Sequence, residues 1–130
     1  MVCLDTDILI AYLHNEADAL KKLETLQAEG DTVVHTTTVN AFELWKGVYK
    51  ARDRQKEIVK VKWLLDSLEL ITFDYESARL AGELDAGIKS QSIDESDLLI
   101  ACMAIVNKQK LVTRNTRHFE RVPGLMVESW

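Results

Sequence analysis

Residues that break or cross-link a chain are scarce in this sequence, which has one proline, five glycines and two cysteines among 130 residues. So few prolines and glycines exclude a long flexible linker or a low-complexity tract. Two cysteines without a CxxC or CxxH pair argue against a disulfide scaffold. Cys3 and Cys102 each lie in an apolar run, so we expect two buried thiols. The length is that of one domain, predicted over residues 1–130.

Long apolar runs are also absent. The longest, 98–106, has nine residues, whereas a membrane-spanning helix needs about 20. The first residues form no basic cluster, and Asp5 interrupts the first apolar stretch, so no signal peptide is indicated. We therefore expect a cytoplasmic protein with no membrane partner.

Positive charge is scarce overall but locally concentrated. The net charge of −5 excludes a uniformly basic nucleic-acid-binding protein. Residues 46–62 nevertheless carry seven lysines and arginines against two acids, whereas residues 83–97 carry five acids against one lysine. A run of one sign is usually a solvated helix face, so the separation is only weak support for a basic binding surface.

Short apolar runs alternate with longer segments of helical periodicity. The predicted strands are residues 2–5, 33–35, 70–73, 111–113 and 125–127. The predicted helices are residues 7–14, 18–29, a cap within 36–38 to about 50, 54–67, 77–89, 95–107 and 117–120. This alternation predicts an α/β fold with a short, mainly parallel sheet covered by helices. In such folds ligands bind beyond the carboxyl ends of the strands.

Polar residues follow two of these strands. Asp5 ends the first, and either Asp5 or Asp7 is suited to cap the next helix; we predict that Asp7 caps and that Asp5 binds a ligand. Thr113 ends the strand at 111–113, and Asn115 follows it. An ordinary turn or helix cap is one interpretation of these two residues, and orientation of a water or a phosphate is the other.

Two further acids lie in predicted helices. Glu43 is flanked by apolar residues, although an exposed helix position explains it slightly better on its own. Asp94 is predicted to be the N-cap of the helix at 95–107. Asp97 lies in its first turn, where an acid stabilises the helix N-terminus and can still bind a metal.

Convergence of Asp5, Glu43 and Asp97 would place three carboxylates in one pocket. Unit charges about 4 Å apart repel by about 4 kcal/mol at an effective dielectric near 20, so the cluster would raise pKa values or recruit a cation. Oxygen ligands without cysteine or clustered histidine select Mg²⁺ or Mn²⁺.

Other residue types carry weaker signals. The histidines at 14, 35 and 118 have no metal-ligand spacing, and we expect at least two of them to be structural or exposed. Trp45, Tyr49 and Trp63 are predicted to lie in the core.

Several motifs in this order resemble the PIN domain, and in particular the VapC-type toxins of toxin–antitoxin pairs. They are Leu4-Asp5-Thr6-Asp7, Glu43, Asp97-Leu98-Leu99-Ile100-Ala101, the segment from Leu111 to Phe119, and Val122-Pro123-Gly124-Leu125. Each motif is only moderately specific, but together they cover nearly the whole chain. The resemblance implies a PIN-like three-layer α/β/α fold.

The resemblance also implies an activity, that of a metal-dependent endoribonuclease in which water attacks and leaves a 5′-phosphate and a 3′-hydroxyl. By this resemblance Asp5, Glu43 and Asp97 correspond to the acidic catalytic residues. Asp5 and Asp97 would hold Mg²⁺ or Mn²⁺, and Glu43 would complete the ligand shell or take the proton of the water. Asn115, the fourth predicted catalytic residue, stands where many relatives have a fourth acid, and an amide there speaks against a second metal ion.

The resemblance further implies a set of contacts and partners. Thr6 corresponds to a hydroxyl near the site, and Thr6, Thr113 and Arg114 are the predicted substrate-positioning residues. The implied partners are an RNA substrate, a cognate antitoxin and a second copy of the chain.

Two other functions stay open at this stage. Asn115 is compatible with a catalytically silent PIN-like scaffold that binds RNA or protein. Asp5-Thr6-Asp7 after an apolar strand is also similar to the nucleophile–acid pair of haloacid-dehalogenase phosphatases. Leu9 stands where those enzymes usually have threonine or valine, and the chain is short for that fold. A receiver-like switch fits poorly because no lysine follows the strand at 111–113.

Overall fold

The computed structural model describes residues 1–31, 33–88 and 93–130. The strands are β1 (Val2–Leu4), β2 (Val34–Thr37), β3 (Glu69–Ile71), β4 (Lys110–Val112) and β5 (Val127–Glu128). The helices are α1 (Thr6–Leu13), α2 (Ala17–Ala28), α3 (Thr38–Tyr49), α4 (Arg54–Asp66), α5 (Tyr75–Gly87), α6 (Glu95–Val106) and α7 (Thr116–Phe119). The end predicted at residue 89 for the fifth helix lies outside the described residues.

The five strands form one parallel sheet in the order β3-β2-β1-β4-β5. β1 is central, and the order of the strands changes direction there. In α/β sheets this point opens a crevice beyond the carboxyl ends of the strands. Cys3 pairs with His35 on one side and with Leu111 on the other, so the ends of β1, β2 and β4 lie at the same edge. The predicted α/β class is confirmed.

Side chains of the strands alternate between two apolar clusters, one on each face of the sheet. Val2, Leu4 and Val112 pack with residues of α1, α2, α3 and α4. Cys3 and Leu111 point to the opposite face and pack with residues of α6 and with Phe119. This two-residue period is the reason that short, continuous apolar runs fit a sheet covered on both faces. The result is the predicted three-layer α/β/α arrangement.

The cysteines are buried as predicted. Cys3 and Cys102 have no exposed surface, and burial raises their pKa values to about 12 and about 11, respectively. Both are therefore inert thiols within apolar packing. Every helix in the described ranges is too short or too polar to span a lipid bilayer.

The aromatic residues depart from expectation. Trp45 packs against the core, but Trp63 is 59% exposed and Tyr49 is 55% exposed, so the core prediction is wrong for these two. Trp63 stacks on Tyr12 with ring centroids 6.3 Å apart, and Tyr49 stacks on Trp45 at 6.2 Å. Each of these two aromatic side chains therefore has a stacking partner although it is not fully buried.

Candidate active site

Asp5 is the buried carboxylate at the centre of the sheet edge. It follows β1 and is the N-cap of α1, with extended backbone and with Oδ1 accepting the backbone N–H of Thr6 at 2.9 Å. Oδ1 also accepts from Asn40 Nδ2 at 3.0 Å, and Oδ2 accepts from Thr113 Oγ1 at 2.8 Å. Only 7% of the residue is exposed. Burial raises the pKa of Asp5 to about 6, and the charges of Asp7 and Asp97 also raise it. The hydrogen bonds from Thr113 and Thr6 lower the pKa and oppose this rise in part.

Asp7 does not cap α1, and that prediction is wrong. Asp5 already occupies the cap position, whereas Asp7 lies inside the first turn. From there its carboxylate turns to the segment after β4. Oδ2 accepts from the backbone N–H of Arg114 at 2.8 Å and from Thr113 Oγ1 at 3.1 Å, and Oδ1 accepts from Trp130 Nε1 at 3.0 Å.

Asn40 is a residue of the candidate site that sequence reasoning missed. It has no exposed surface, and its amide Nδ2 donates to Asp5 Oδ1 at 3.0 Å and to Thr6 Oγ1 at 2.9 Å. Its Oδ1 accepts the Thr37 hydroxyl at 2.7 Å, while Thr37 caps α3 in a capping box with Asn40. The sequence signal was the Thr-x-x-Asn spacing, which indicates the cap but not the contact with Asp5.

Glu43 lies one turn after Asn40 on α3 and is half-buried. Residues three apart share a helix face, so the capped first turn of α3 aims Glu43 at the edge that holds Asp5. Thr6 Oγ1 donates to Glu43 Oε1 at 2.6 Å. Thr6 therefore links the two acids, since its backbone N–H binds Asp5 and its hydroxyl binds Glu43.

Asp97 reaches the same region from the first turn of α6, which packs against α3. Burial raises the pKa of Asp97, the charges of Glu43 and Asp94 raise it further, and His118 opposes the rise. His118 Nδ1 lies 3.8 Å from Asp97 Oδ2. Asp97 therefore lies within electrostatic range of Asp5 and of Glu43, and Thr6 joins Asp5 to Glu43 through its backbone N–H and its hydroxyl.

Asp94 is at the N-cap position of α6 as predicted, but its side chain makes no cap hydrogen bond. The predicted side-chain cap is therefore wrong. Asp94 is exposed, and the acids in the first turn of α6, Glu95 and Asp97, supply the favourable charge at the helix N-terminus.

The histidines take three different environments. His14 is exposed and His35 is half-buried on β2, whereas His118 lies beside Asp97.

The segment after β4 supplies the other predicted polar residues. Thr113 is fully buried and contacts both Asp5 and Asp7, and its hydroxyl accepts the backbone N–H of Asn115 at 3.0 Å. Asn115 is half-buried at the N-cap position of α7, and its side chain makes no cap hydrogen bond. Arg114 is exposed at the rim, with its guanidinium carbon 3.5 Å from the centroid of the Trp130 ring.

The donor set is suited to a hard cation. Asp5, Glu43 and Asp97 offer carboxylate oxygens, and Mg²⁺ and Mn²⁺ prefer such ligands. Burial and mutual repulsion penalise the charges of Asp5 and Asp97, which a bound cation would relieve. Within residues 1–31, 33–88 and 93–130, no three acidic, cysteine or histidine side chains are already close enough to enclose an ion. The oxygen donors of these residues fit a divalent ion by their chemistry.

Known proteins share both the sequence and the fold. The PIN domain family matches residues 2–125 of the chain. Ribonuclease VapC2 of Rickettsia felis is 33% identical, with 98% of this chain and 96% of that protein covered. Ribonuclease VapC19 of Mycobacterium tuberculosis is 32% identical over 96% of this chain and 97% of its own length. The tRNA(fMet)-specific endonuclease VapC of Salmonella typhimurium is 26% identical, with 98% and 96% covered.

Solved structures agree with these relatives. VapBC2 from Rickettsia felis, bound to a DNA fragment from its promoter, superposes with a TM-score of 0.89 at 29% identity, covering 100% of this chain and 99% of that chain. DNA-bound VapBC from Salmonella typhimurium gives a TM-score of 0.86 at 25% identity, with 100% and 99% covered. The chain therefore belongs to the PIN domain family, in the group of the VapC proteins.

Proposed function

We propose that this chain is a metal-dependent endoribonuclease and the toxin of a toxin–antitoxin pair. The observation that carries the proposal is the buried carboxylate of Asp5, held in hydrogen bonds at the sheet edge, with Glu43 and Asp97 within electrostatic range. The ribonuclease and endonuclease names of relatives that cover the chain almost end to end support the same activity.

Asp5 and Asp97 would hold the ion, with Mg²⁺ or Mn²⁺ as the expected cofactor. When bound, the ion neutralises charge on the phosphodiester and lowers the pKa of a water. Thr6 holds Glu43 by its hydroxyl, so Glu43 is positioned either to complete the ligand shell or to accept the proton of the attacking water. Attack by water rather than by the ribose 2′-hydroxyl predicts products with a 5′-phosphate and a 3′-hydroxyl.

The basic segment 46–62 supports the choice of a polyanionic substrate. It runs along the second half of α3, the connection to α4, and α4 itself. Its exposed cations are Lys46, Lys50, Arg52, Arg54, Lys56 and Lys62. Contacts from these side chains to phosphates would position an RNA strand without reading its sequence. Arg114 at the rim of the acidic site would hold the strand close to the scissile phosphate.

Binding of RNA by this segment predicts a steep dependence on salt. With about three to six phosphate contacts on single-stranded RNA, affinity should fall about 20-fold to 300-fold between about 50 and 200 mM salt. The Lys50→Gln, Lys56→Gln double variant should flatten the log–log slope by about one to one and a half, because two contacts are lost. Fluorescence anisotropy with labelled RNA and Ca²⁺ in place of Mg²⁺ measures this slope. Lys21→Gln, an exposed lysine on α2, is the matched control. An unchanged slope in the double variant contradicts this binding surface.

The proposed function also includes protein partners of this chain. Solved VapBC complexes that superpose on the whole chain support a cognate antitoxin as the protein partner. We further propose that residues 1–130 form a single domain and that the chain forms a homodimer. Equilibrium sedimentation of the purified chain tests the homodimer.

Cleavage of RNA by the purified chain tests the activity directly. Structured RNA that includes tRNA(fMet), for which the Salmonella typhimurium relative is named, is incubated with Mg²⁺ or Mn²⁺, with and without a chelator. We expect cleavage that the chelator abolishes and that an excess of the divalent ion restores. End mapping should find 5′-phosphates and 3′-hydroxyls. Cyclic phosphates at the 3′ ends would mean that the 2′-hydroxyl attacks and would overturn the water mechanism.

A catalytically silent scaffold is the second candidate, and the amide at Asn115 favours it. The same experiment separates the two, because a silent scaffold binds RNA in the anisotropy assay but does not cleave it. A phosphatase would instead form a phosphoryl-aspartate on Asp5, which mass spectrometry after incubation with a phosphate monoester would detect.

A further inference from the structure

Trp130 is joined to the acidic site by a short series of contacts that the proposed mechanism does not use. Its Nε1 donates to Asp7 Oδ1 at 3.0 Å, although 123 positions separate the two residues in the sequence. Asp7 Oδ2 in turn contacts Thr113 Oγ1 at 3.1 Å, and Thr113 Oγ1 contacts Asp5 Oδ2 at 2.8 Å. Three contacts therefore connect the indole to the buried carboxylate.

The single hydroxyl proton of Thr113 determines which of the two carboxylates in this series accepts a hydrogen bond from Thr113. The hydroxyl carries one proton but lies within hydrogen-bond distance of two carboxylates, those of Asp5 and Asp7. Asp7 has two other donors, the backbone N–H of Arg114 and the indole N–H of Trp130. Asp5 Oδ2 has no donor other than Thr113 among the hydrogen bonds of the described residues. Because the Arg114 N–H supplies Asp7 Oδ2 and the Trp130 N–H supplies Asp7 Oδ1, the Thr113 proton can stay with Asp5.

The ring of Trp130 has a second contact, with Arg114. The guanidinium carbon lies 3.5 Å from the ring centroid, in the geometry of a cation–π interaction. Glu16 Oε1 and Asp18 Oδ2 lie 3.7 and 3.8 Å from the guanidinium nitrogens. The ring face and two carboxylates thus restrain an exposed arginine at the rim of the site.

We propose that Trp130 is a positioning residue for the nuclease reaction, through two separable contacts. Its N–H satisfies Asp7 and leaves the Thr113 hydroxyl to orient Asp5, while its ring holds Arg114 where a substrate phosphate passes. The inference rests on the proposed ribonuclease activity, and it adds Trp130 and Asp7 to the residues on which that activity depends.

Two substitutions at this position separate the contacts. Trp130→Phe keeps an aromatic face for Arg114 but removes the N–H, so kcat should fall about tenfold while KM stays within about twofold. Trp130→Leu removes both contacts, so kcat should fall to a similar extent and KM should rise about fivefold. Steady-state cleavage of one RNA substrate gives both constants. Trp63→Phe changes a tryptophan that stacks on Tyr12 away from these contacts and should leave both constants unchanged.

A second measurement needs no catalysis. The indole N–H signals of Trp130 and Trp63 in an ¹⁵N correlation spectrum are assigned from the two phenylalanine variants. The Trp130 N–H should exchange with solvent more slowly than that of the exposed Trp63, and Asp7→Ala should remove this protection. Urea unfolding of each variant reports whether the fold is retained.

The outcomes are distinguishable. Wild-type cleavage with unchanged kcat in Trp130→Phe overturns the inference and leaves the proposed function intact. An equal KM in Trp130→Phe and Trp130→Leu overturns the part that concerns Arg114. Exchange of the Trp130 N–H as fast as that of Trp63 overturns the contact with Asp7. A wild-type chain that cleaves no RNA overturns the proposed function and this inference with it.

Discussion

Asp97→Asn is expected to lower RNA cleavage by at least about 100-fold. Loss of a partner that only supports a metal ligand lowers metal affinity or activity by about 10–100-fold, and loss of the ligand itself should exceed that. The substitution keeps the size and shape of the side chain but removes the charge that lies within range of Glu43 and Asp5. Because Asp97 is in the first turn of α6, the amide also weakens the favourable interaction with the helix N-terminus, by about 0.3–1 kcal/mol.

Asp94→Asn is the matched control for this substitution. It changes the net charge by the same amount on the same helix end, but Asp94 is exposed and makes no cap hydrogen bond. We expect cleavage within about twofold of wild type. Initial rates are measured at saturating Mg²⁺ for both variants, prepared in parallel. Equal rates for Asp97→Asn and wild type would mean that the observed nuclease is a contaminant or that the catalytic centre lies elsewhere.

The sequence could locate the site because parallel strands bring their carboxyl ends to one edge. Asp5 and Thr113 each follow a strand, and the structure joins them by a hydrogen bond of 2.8 Å across 108 positions of sequence. The prediction for Glu43 was weaker, because a single acid in a helix is at least as consistent with solvent exposure as with a place in the site. Only the resemblance to PIN domains assigned Glu43 to the site.

The contacts that organise the acids could not be predicted. Asn40 and Trp130 reach their partners only after the chain has folded, since 35 positions separate Asn40 from Asp5 and 123 separate Trp130 from Asp7. Local sequence patterns do not indicate contacts between residues so far apart in the chain. The wrong assignment of the α1 cap has the same origin, because Asp5 and Asp7 are equally good caps by residue type. What distinguishes them is the segment after β4, which supplies Asp7 with other donors.

Asp5→Asn is expected to stabilise the fold while it abolishes cleavage. Burial raises the pKa of Asp5 from 3.8 to about 6. Below the lower value both the folded and the unfolded chain hold the proton, so Asp5 imposes no penalty. As the pH rises through this window the unfolded chain releases its proton first, and the free energy of unfolding falls until the pH exceeds about 6. A difference of about two pH units corresponds to a penalty of about 3 kcal/mol above that pH.

The amide of an asparagine at position 5 suits the surrounding contacts. Its oxygen can still accept from Thr6 and Asn40, and its NH₂ can donate to the Thr113 hydroxyl, which then donates to Asp7. Urea unfolding without divalent ions should show Asp5→Asn more stable than wild type by up to about 3 kcal/mol at pH 8. The difference should shrink below about 1 kcal/mol at pH 4. Asp94→Asn, which removes an exposed charge, should show no such dependence. A variant that is less stable than wild type at pH 8 contradicts the buried charge of Asp5.

Addition of Mg²⁺ should then narrow the difference in stability between the two proteins. A ligand that binds only the folded state stabilises it by about 1.4 kcal/mol at ten times its Kd and by more at higher concentration. The wild-type chain should therefore gain stability with Mg²⁺ at pH 8, whereas Asp5→Asn should gain little because it lacks the charge that attracts the ion. Equal gains in the two proteins would place the ion elsewhere. Since the same carboxylate weakens the metal-free fold and is proposed to bind the cation, selection for catalysis would explain why this position keeps an unfavourable buried charge.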